Sequence, residues 1–270
     1  MANSLALVVA ARSDLGLVRK VNEDSGLVGI QILAIADGMG GHVAGEVASS
    51  TAIKALKRLD SKISLATPSD DNAIMDFLLH TIAGVDDQIS AVIDSDPHLD
   101  GMGTTLTALI LDLNRIAIVH VGDSRCYRLR DGQTKQMTRD HTLVQELVDL
   151  KRISEEEALS HPQRSVITQA LMGHHDVAPD VALYDAKRGD RFLLCSDGLS
   201  SLVLPADLRT LLSTGTVTEA LDELIAAALT RGAPDNVSGI VADVIERDFD
   251  ERDSAGSYTS TYIGAAAKKV

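Results

Sequence analysis

The chain has 270 residues, 45% of them hydrophobic, so it can bury the core of one large domain or two small ones. Its formal net charge of −14 and its lack of tryptophan argue against a nucleic-acid-binding protein, which needs a basic surface and aromatic side chains for stacking. The N-terminus lacks the basic start of a signal peptide and no apolar run approaches the roughly 18 residues that cross a bilayer, which predicts a cytoplasmic protein without a membrane segment.

Seven short runs, rich in β-branched residues and bounded by Gly, Asn or Asp, are predicted to be strands. They cover residues 5–11, 31–36, 106–111, 115–121, 126–130, 191–196 and 239–245. Asn114 and the pair Asp131-Gly132 lie between neighbouring runs and predict hairpin turns. We therefore expect the sheets to be largely antiparallel.

Apolar residues at helical spacing predict long helices over residues 73–93 and 216–231, and shorter ones over 45–58 and from Ser154. Thr216 with Glu219, and Ser154 with Glu157, stand in the register of a capping box. Helices between groups of antiparallel strands indicate an α+β fold in which helices cover sheets. From residue 247 to residue 270 the composition becomes polar, and we expect this tail to be disordered.

Several predicted strands begin or end beside an aspartate. The pairs are Asp37-Gly38, Gly122-Asp123 and Asp197-Gly198, and Asp235 precedes a further strand. Four such carboxylates would repel one another unless cations lay between them. Oxygen ligands without a His or Cys cluster select Mg²⁺ or Mn²⁺ over Zn²⁺. The pattern predicts a polynuclear metal site, with Asp37, Asp197, Asp235 and the carbonyl of Gly38 as candidate ligands.

Two ions bridged by a carboxylate would share an acidified water, a nucleophile suited to phosphate-ester hydrolysis. Arg19 is a candidate phosphate clamp, the alternative being an ordinary surface arginine. Asp24 is a candidate to orient metal-bound waters.

His42, in a glycine-rich loop after Asp37, is either a general acid for the leaving oxygen or a loop histidine bonded to backbone. His120 is predicted to be hydrogen-bonded rather than a ligand.

Six motifs follow one another between Ser13 and Ser238. They are Ser13-Asp14-Leu15-Gly16 with Arg19 and Asn22-Glu23-Asp24; Ala36-Asp37-Gly38-Met39-Gly40-Gly41-His42 with Gly45-Glu46; Gly101-Met102-Gly103-Thr104-Thr105; Val121-Gly122-Asp123-Ser124-Arg125; Ser196-Asp197-Gly198-Leu199; and Asp235-Asn236-Val237-Ser238. Together, and in this order, they resemble the bacterial form of the metal-dependent PPM (PP2C-type) serine/threonine protein phosphatases. The resemblance covers nearly all of the part expected to fold.

The resemblance implies a four-layer α-β-β-α sandwich with two central antiparallel sheets, as one domain over residues 1–246 with a flap at about 138–181. It implies that Asp37 bridges two ions, helped by the Gly38 carbonyl, and that Asp197 and Asp235 complete the ligands of the first ion. Asp123, together with Asp197, would bind a third and weaker ion. Asp24 and Asn236 would surround the ligands without binding metal directly.

This resemblance predicts a Mn²⁺- or Mg²⁺-dependent hydrolase that removes phosphate from phosphoserine and phosphothreonine in proteins by direct attack of the bridging water. Arg19 would match the phosphate-binding arginine. The implied partners are phosphorylated substrates of a serine/threonine kinase, and the kinase itself, without nucleic acid or membrane; we expect a monomer. Two alternatives stay open: a hydrolase of small phosphate esters, and a non-catalytic metal-binding module.

Overall fold

The computed structural model describes residues 4–40, 44–60, 71–174, 177–247 and 260–267, which build two antiparallel sheets. The strands are β1 (Ser4–Asp14), β2 (Asp24–Val28), β3 (Ile32–Met39), β4 (Gly103–Thr104), β5 (Leu106–Asp112), β6 (Arg115–Val121), β7 (Arg125–Arg130), β8 (Gln133–Gln136), β9 (Asp180–Asp185), β10 (Arg191–Cys195), β11 (Val237–Arg247) and β12 (Thr261–Gly264).

The first sheet has the order β1-β11-β10-β7-β8 and the second the order β12-β2-β3-β5-β6-β9, with β4 paired to β3. Asp131 and Gly132 both have positive φ, 50° and 71°, as the tight turn between β7 and β8 requires. β5 and β6 pair on either side of Asn114. The prediction of antiparallel hairpins at both places is therefore confirmed.

Helices cover the outer face of each sheet. The described helices are α1 (Ala44–Lys57), α2 (Asp71–Ser95), α3 (Leu143–Asp149), α4 (Glu155–Leu159), α5 (Asp197–Ser200), α6 (Pro205–Leu212) and α7 (Val217–Thr230). Of these, α3 and α4 lie in the segment between β8 and β9 and do not cover a sheet. Both predicted capping boxes, at the starts of α4 and α7, are confirmed. In the described part of the chain, no helix is both long and apolar enough to span a bilayer.

Side chains alternate along the central strands and so build three apolar layers. In β3, Ile32 and Ala34 pack with α1 and α2, whereas Leu33 and Ile35 pack between the two sheets. Residues of β10 divide in the same way between the space between the sheets and the layer under α5, α6 and α7. The predicted α-β-β-α sandwich is thus confirmed.

The segment between β8 and β9, which contains the predicted flap, carries α3 and α4 and is bonded to the core near both ends. Thr104 and Leu171 exchange backbone hydrogen bonds of 3.0 and 2.9 Å. The N–H of Gly173 donates to Oδ1 of the buried Asp86 at 2.8 Å. At the other end, the N–H of His141 donates to the carbonyl of Gly122 at 2.7 Å.

The prediction of a disordered tail over 247–270 is wrong for Arg247, the last residue of β11, and for residues 260–267. Thr261–Gly264 form β12, which pairs with β2, and Ala265–Ala267 form a 3-10 helix. Composition was misleading because two apolar residues suffice here: Tyr262 packs on the helix side of the sheet and Ile263 between the sheets. The rest of the predicted tail, residues 248–259 and 268–270, lies outside the described residues.

Candidate metal centre

Two aspartates face each other across the hairpin of β2 and β3. Asp24, the first residue of β2, is the register partner of Asp37. Asp24 is only 1% exposed. Its Oδ2 accepts a hydrogen bond from Oγ of Ser196 at 2.8 Å, but its buried Oδ1 has no partner among the described residues. An unpartnered buried carboxylate oxygen is costly, so this atom marks a place for a cation or an ordered water.

Three hydrogen bonds fix the backbone of Asp37. Its N–H donates to Oγ1 of Thr105 at 2.9 Å, and its carbonyl accepts from the N–H of Thr105 at 2.9 Å and from Oγ1 of Thr104 at 3.0 Å. A Cβ on the next residue, Gly38, would lie 2.0 Å from the carbonyl oxygen of Gly45. Only glycine fits there, so residue 38 contributes backbone alone to this end of β3.

The other predicted aspartates follow or precede strands of both sheets. Asp197 begins α5 directly after β10, Asp235 lies just before the neighbouring strand β11, and Asp123 follows β6 of the second sheet. A Cβ on Gly198 would lie 2.0 Å from the carbonyl oxygen of Asn236, so this glycine lets the loops that carry Asp197 and Asp235 approach each other.

Burial and mutual repulsion shift the pKa values of this aspartate cluster upward. Burial is the largest cause, and neighbouring carboxylates add to it: the pKa values of Asp24 and Asp123 rise to about 7, and that of Asp37 rises well above its ordinary range. Burial and the charge of Asp235 also raise the pKa of Asp197, which a hydrogen bond with Asp37 opposes. The five predicted carboxylates are therefore close enough to repel one another strongly.

This donor set fits a hard divalent cation. Its atoms are carboxylate and carbonyl oxygens, the ligands that Mg²⁺ and Mn²⁺ prefer, and the orphaned Oδ1 of Asp24 lies among them. Within the described ranges, no three His, Cys, Asp or Glu side chains already stand close enough together to hold an ion. Ion binding would therefore require small side-chain movements, above all of Asp235, whose carboxylate already accepts a hydrogen bond from an arginine.

The residue that engages Asp235 is Arg19. Its Nη2 donates to Oδ2 of Asp235 at 2.7 Å, and its Nη1 donates to Oε2 of Glu23 at 3.4 Å. The Arg19 side chain is 46% exposed, and its hydrogen bond to Asp235 is the largest cause that raises its pKa. The structure thus brings the predicted phosphate clamp to a predicted metal ligand, at the exposed edge of the cluster. Phosphate binding by Arg19 stays a prediction.

Asn236 holds the loop that carries Arg19. Its Oδ1 accepts from the N–H of Glu23 at 2.8 Å, and its Nδ2 donates to the carbonyls of Leu15 and Val21 at 2.9 and 3.1 Å. All three bonds go to the chain on either side of Arg19. The sequence predicts that Asn236 lies next to the metal ligands without binding metal. In the structure its side chain is hydrogen-bonded to the loop that carries Arg19.

One of the two histidines singled out in the sequence is described. His120 is 1% exposed, bonded through Nδ1 to Oγ1 of Thr107 at 2.9 Å and through Nε2 to the carbonyl of Arg139 at 3.0 Å. Burial, followed by the neighbouring His141, lowers its pKa to about 4. The prediction of a hydrogen-bonded histidine is confirmed. His42 lies outside the described residues.

Sequence reasoning missed the role of Arg125. Its Nε lies 2.9 and 3.0 Å from the two carboxylate oxygens of Asp140, and its Nη2 lies 2.6 Å from Oδ2. Asp140 lies in the predicted flap, whereas Arg125 lies two residues after Asp123. The pair therefore joins the flap to the aspartate cluster. No sequence signal identifies it, because a strand arginine is more often a solvent-facing residue.

A cavity of about 710 Å³ opens beside the aspartate cluster. Asp123 and Asp197 line it on the core side, and residues of α3 and α4 line it on the flap side, including Gln145 and Glu155. Arg164 also contributes to the lining. The cluster therefore faces a space that has room for a segment of another chain.

Comparison with known proteins agrees with this arrangement. The family model described as "Protein phosphatase 2C" matches residues 20–239. The serine/threonine protein phosphatase PstP of Mycobacterium tuberculosis is 50% identical over 249 residues, which cover 91% of this chain and 46% of that protein. The chain therefore spans about half the length of that relative. The serine/threonine phosphatase stp of Listeria monocytogenes is 36% identical over 247 residues, or 89% of this chain and 96% of that protein.

A solved structure shares the fold at similar identity. It is the catalytic domain of PstP in complex with two manganese ions, which is 47% identical, covers 90% of this chain and 100% of that chain, and superposes with a TM-score of 0.80. The family prediction made from the six motifs is confirmed. This chain belongs to the protein phosphatase 2C family.

Proposed function

We propose that this chain is a metal-dependent phosphatase that hydrolyses phosphoserine and phosphothreonine in proteins. The observation that carries the proposal is the buried aspartate cluster, with its unpartnered Asp24 oxygen, next to an arginine at its exposed edge. Carboxylates that repel one another inside a protein need positive charge, and an adjoining guanidinium suits a phosphate. The manganese bound by the related PstP domain supports the same interpretation.

The residues that would hold two Mn²⁺ or Mg²⁺ ions are Asp37, Asp197, Asp235 and the carbonyl of Gly38, and Asp123 would hold a third ion more weakly together with Asp197. When bound, such ions acidify water for attack on phosphorus and neutralise charge on the phosphoryl group. The orphaned Oδ1 of Asp24 is placed to accept a hydrogen bond from a water in the cluster.

The chain's own residues bind the phosphate, receive the peptide and donate a proton to the leaving group. Arg19 holds phosphoryl oxygens through its planar guanidinium, which requires it to exchange Asp235 for the phosphate. The cavity between the cluster and the flap receives the peptide around the phosphorylated residue. His42 protonates the departing serine or threonine oxygen.

The proposed partners are phosphorylated substrates of a serine/threonine kinase and the kinase itself, met by a monomer in the cytoplasm. The two cysteines, Cys126 and Cys195, support a reducing compartment, because both are free and buried. The open cavity beside the cluster supports a macromolecular substrate over a small phosphate ester.

The experiment that tests this function compares phosphate release from a phosphothreonine peptide, a phosphoserine peptide and glycerol phosphate in saturating Mn²⁺. We expect the peptides to be turned over far faster than glycerol phosphate, and Asp197→Ala to abolish turnover of all three. Asp222→Ala, which removes a surface partner of Arg12, is the matched control. Faster turnover of glycerol phosphate would favour the small-ester alternative, and near-normal activity of Asp197→Ala would refute the proposed site.

A further inference from the structure

Residues 260–267 form an added edge of the second sheet that lies beyond the part matched by the family model, which ends at residue 239. β12 pairs with β2 so that Gly264 stands opposite Ser25, next to Asp24. We propose that this C-terminal segment positions Asp24 and Gly38 for metal binding, through the backbone of Gly264 and Ala266. The proposal rests on the metal site of the proposed function.

The first contact is between two backbones. Gly264 has a φ of +66°, and a Cβ there would lie 2.1 Å from the carbonyl oxygen of Asp24 and 3.1 Å from Oγ of Ser13. Both facts require glycine at this position. The turn from β12 into the 3-10 helix is therefore built directly against the peptide group of Asp24, so any side chain at residue 264 would displace it.

The second contact begins a chain of hydrogen bonds that reaches Gly38. The N–H of Ala266 donates to Oγ of Ser25 at 3.1 Å, and Oγ of Ser25 lies 2.9 Å from Oγ of Ser49. Ser49 donates to the carbonyl of Glu23 at 2.5 Å, and the same carbonyl accepts from the N–H of Gly38 at 3.2 Å. The residues before and after Asp24 are thus both tied into one network.

Other contacts anchor the segment to the rest of the protein, and none of them involves Gly264 or Ala266. These anchoring contacts are called the seat of the segment. Gly26 leaves room for Ile263, since a Cβ on Gly26 would lie 2.7 Å from Cγ1 of that side chain. Oγ of Ser260 donates to Oδ2 of Asp60 at 3.1 Å, and Nζ of Lys57 lies 5.5 Å from the ring centre of Tyr262. Removing one side chain of the seat should lower stability without moving Asp24, because no seat contact touches the residues of the cluster and both contacts with β2 remain.

This separation allows a strand that only covers a sheet edge to be distinguished from one that positions the metal site. Covering an edge protects it from pairing with other chains and adds stability. It does not alter the affinity of a distant site. Positioning does, because ligands held off their geometry bind metal less tightly.

The test uses full-length variants, with Mn²⁺ alone as the probe. Gly264→Ala and Ala266→Pro attack the two contacts with β2, whereas Ile263→Ala attacks the seat. We expect the first two to raise the Mn²⁺ dissociation constant about tenfold by calorimetry. Ile263→Ala should lower the melting temperature and leave that constant unchanged. A dissociation constant within twofold of wild type in both contact variants would overturn the proposal, and so would a tenfold rise in Ile263→Ala.

A metal-free measurement separates failure of this proposal from failure of the proposed function. If the wild-type chain binds no Mn²⁺, the proposed function fails. Amide hydrogen exchange at Gly38 then decides the coupling. We expect exchange at Gly38 to speed up in Gly264→Ala and in Ala266→Pro but not in Ile263→Ala, and unchanged exchange in both contact variants would overturn the coupling. If Gly264→Ala does not fold, Ala266→Pro gives both readouts, and Ser25→Ala, which breaks the same hydrogen bond from the other side, replaces it if needed.

Discussion

Nη2 of Arg19 lies 2.7 Å from Oδ2 of Asp235, so the predicted phosphate clamp and a predicted metal ligand are paired with each other. A phosphate would bind Arg19 and a metal ion would bind Asp235, so either ligand has to break this pair. Each would also release the partner that the other needs, because a guanidinium freed from Asp235 can accept phosphate oxygens and a freed carboxylate can accept a cation. Substrate and metal binding should therefore favour each other at this site.

Replacing Arg19 with alanine should mainly weaken substrate binding. A charge-assisted hydrogen bond contributes about 1.5–3 kcal/mol, so we expect KM for a phosphothreonine peptide to rise about 10- to 100-fold while kcat changes less. Steady-state kinetics in saturating Mn²⁺ measure this. Arg12→Ala is the matched control, because Arg12 pairs with Asp222 on the surface. An unchanged KM in Arg19→Ala would make Arg19 an ordinary surface arginine.

Asp123→Ala should separate the tight metal pair from turnover. Asp123 is proposed to hold only the third, weaker ion together with Asp197, so its loss should leave Mn²⁺ binding at the central pair intact. We expect kcat to fall on the order of 100-fold. On the same protein, calorimetry measures Mn²⁺ binding and steady-state kinetics measure kcat. Loss of tight Mn²⁺ binding in this variant would mean that Asp123 belongs to the central pair.

The stabilisation that Mn²⁺ gives should increase with pH. Burial, with repulsion from neighbouring carboxylates, raises the pKa values of Asp24 and Asp123 to about 7 from an ordinary 3.8. Between those values the folded, metal-free protein keeps protons that the unfolded chain has lost, so its stability falls as pH rises through this window. Cation binding requires the deprotonated carboxylates and becomes more favourable over the same window.

Melting temperatures with Mn²⁺ and with EDTA at pH 5.5 and pH 8 measure this increment. We expect a clearly larger increment at pH 8. The contribution of His120, whose pKa burial lowers to about 4, is equal with and without Mn²⁺ and cancels in the comparison. Equal increments at the two pH values would show that these aspartates do not lose protons when Mn²⁺ binds.

His42→Ala should distinguish general acid catalysis from a loop role. A general acid contributes about 10²- to 10⁴-fold when the leaving oxygen is strongly basic. We therefore expect kcat for a phosphothreonine peptide to fall at least 100-fold, and kcat for p-nitrophenyl phosphate, whose leaving group needs no proton, to fall much less. His80→Ala, an exposed histidine of α2, is the control. Equal losses on both substrates would contradict the general-acid role.

The parts of the site that could be predicted are those written in local sequence. An apolar run that ends in Asp37-Gly38 or Asp197-Gly198 is visible in one window, because strand and glycine act over neighbouring residues. The capping boxes at Ser154 and Thr216 are equally local, and both are confirmed. The order of the layers came from resemblance, since strand pairing between distant segments leaves no periodic signal.

The parts that could not be predicted depend on contacts between distant residues. The N–H of Ala266 donates to Ser25, which lies 241 positions earlier in the chain. The strand that precedes it has only four residues and lies in a polar stretch, so composition does not distinguish it from a disordered tail. The seat of that strand exists because Gly26 lacks a side chain, which the sequence of the tail cannot reveal. The pairing of Arg19 with Asp235, across 216 positions, is hidden for the same reason.

The proposed metal-dependent hydrolysis is tested most directly by phosphate release from a phosphothreonine peptide, titrated separately with Mn²⁺ and Mg²⁺ and repeated with EDTA. We expect phosphate release that rises with at least one of the two ions, stops with EDTA and returns when the ion is restored. Tight ion binding without any release would contradict it and leave the aspartate cluster as a non-catalytic metal-binding site.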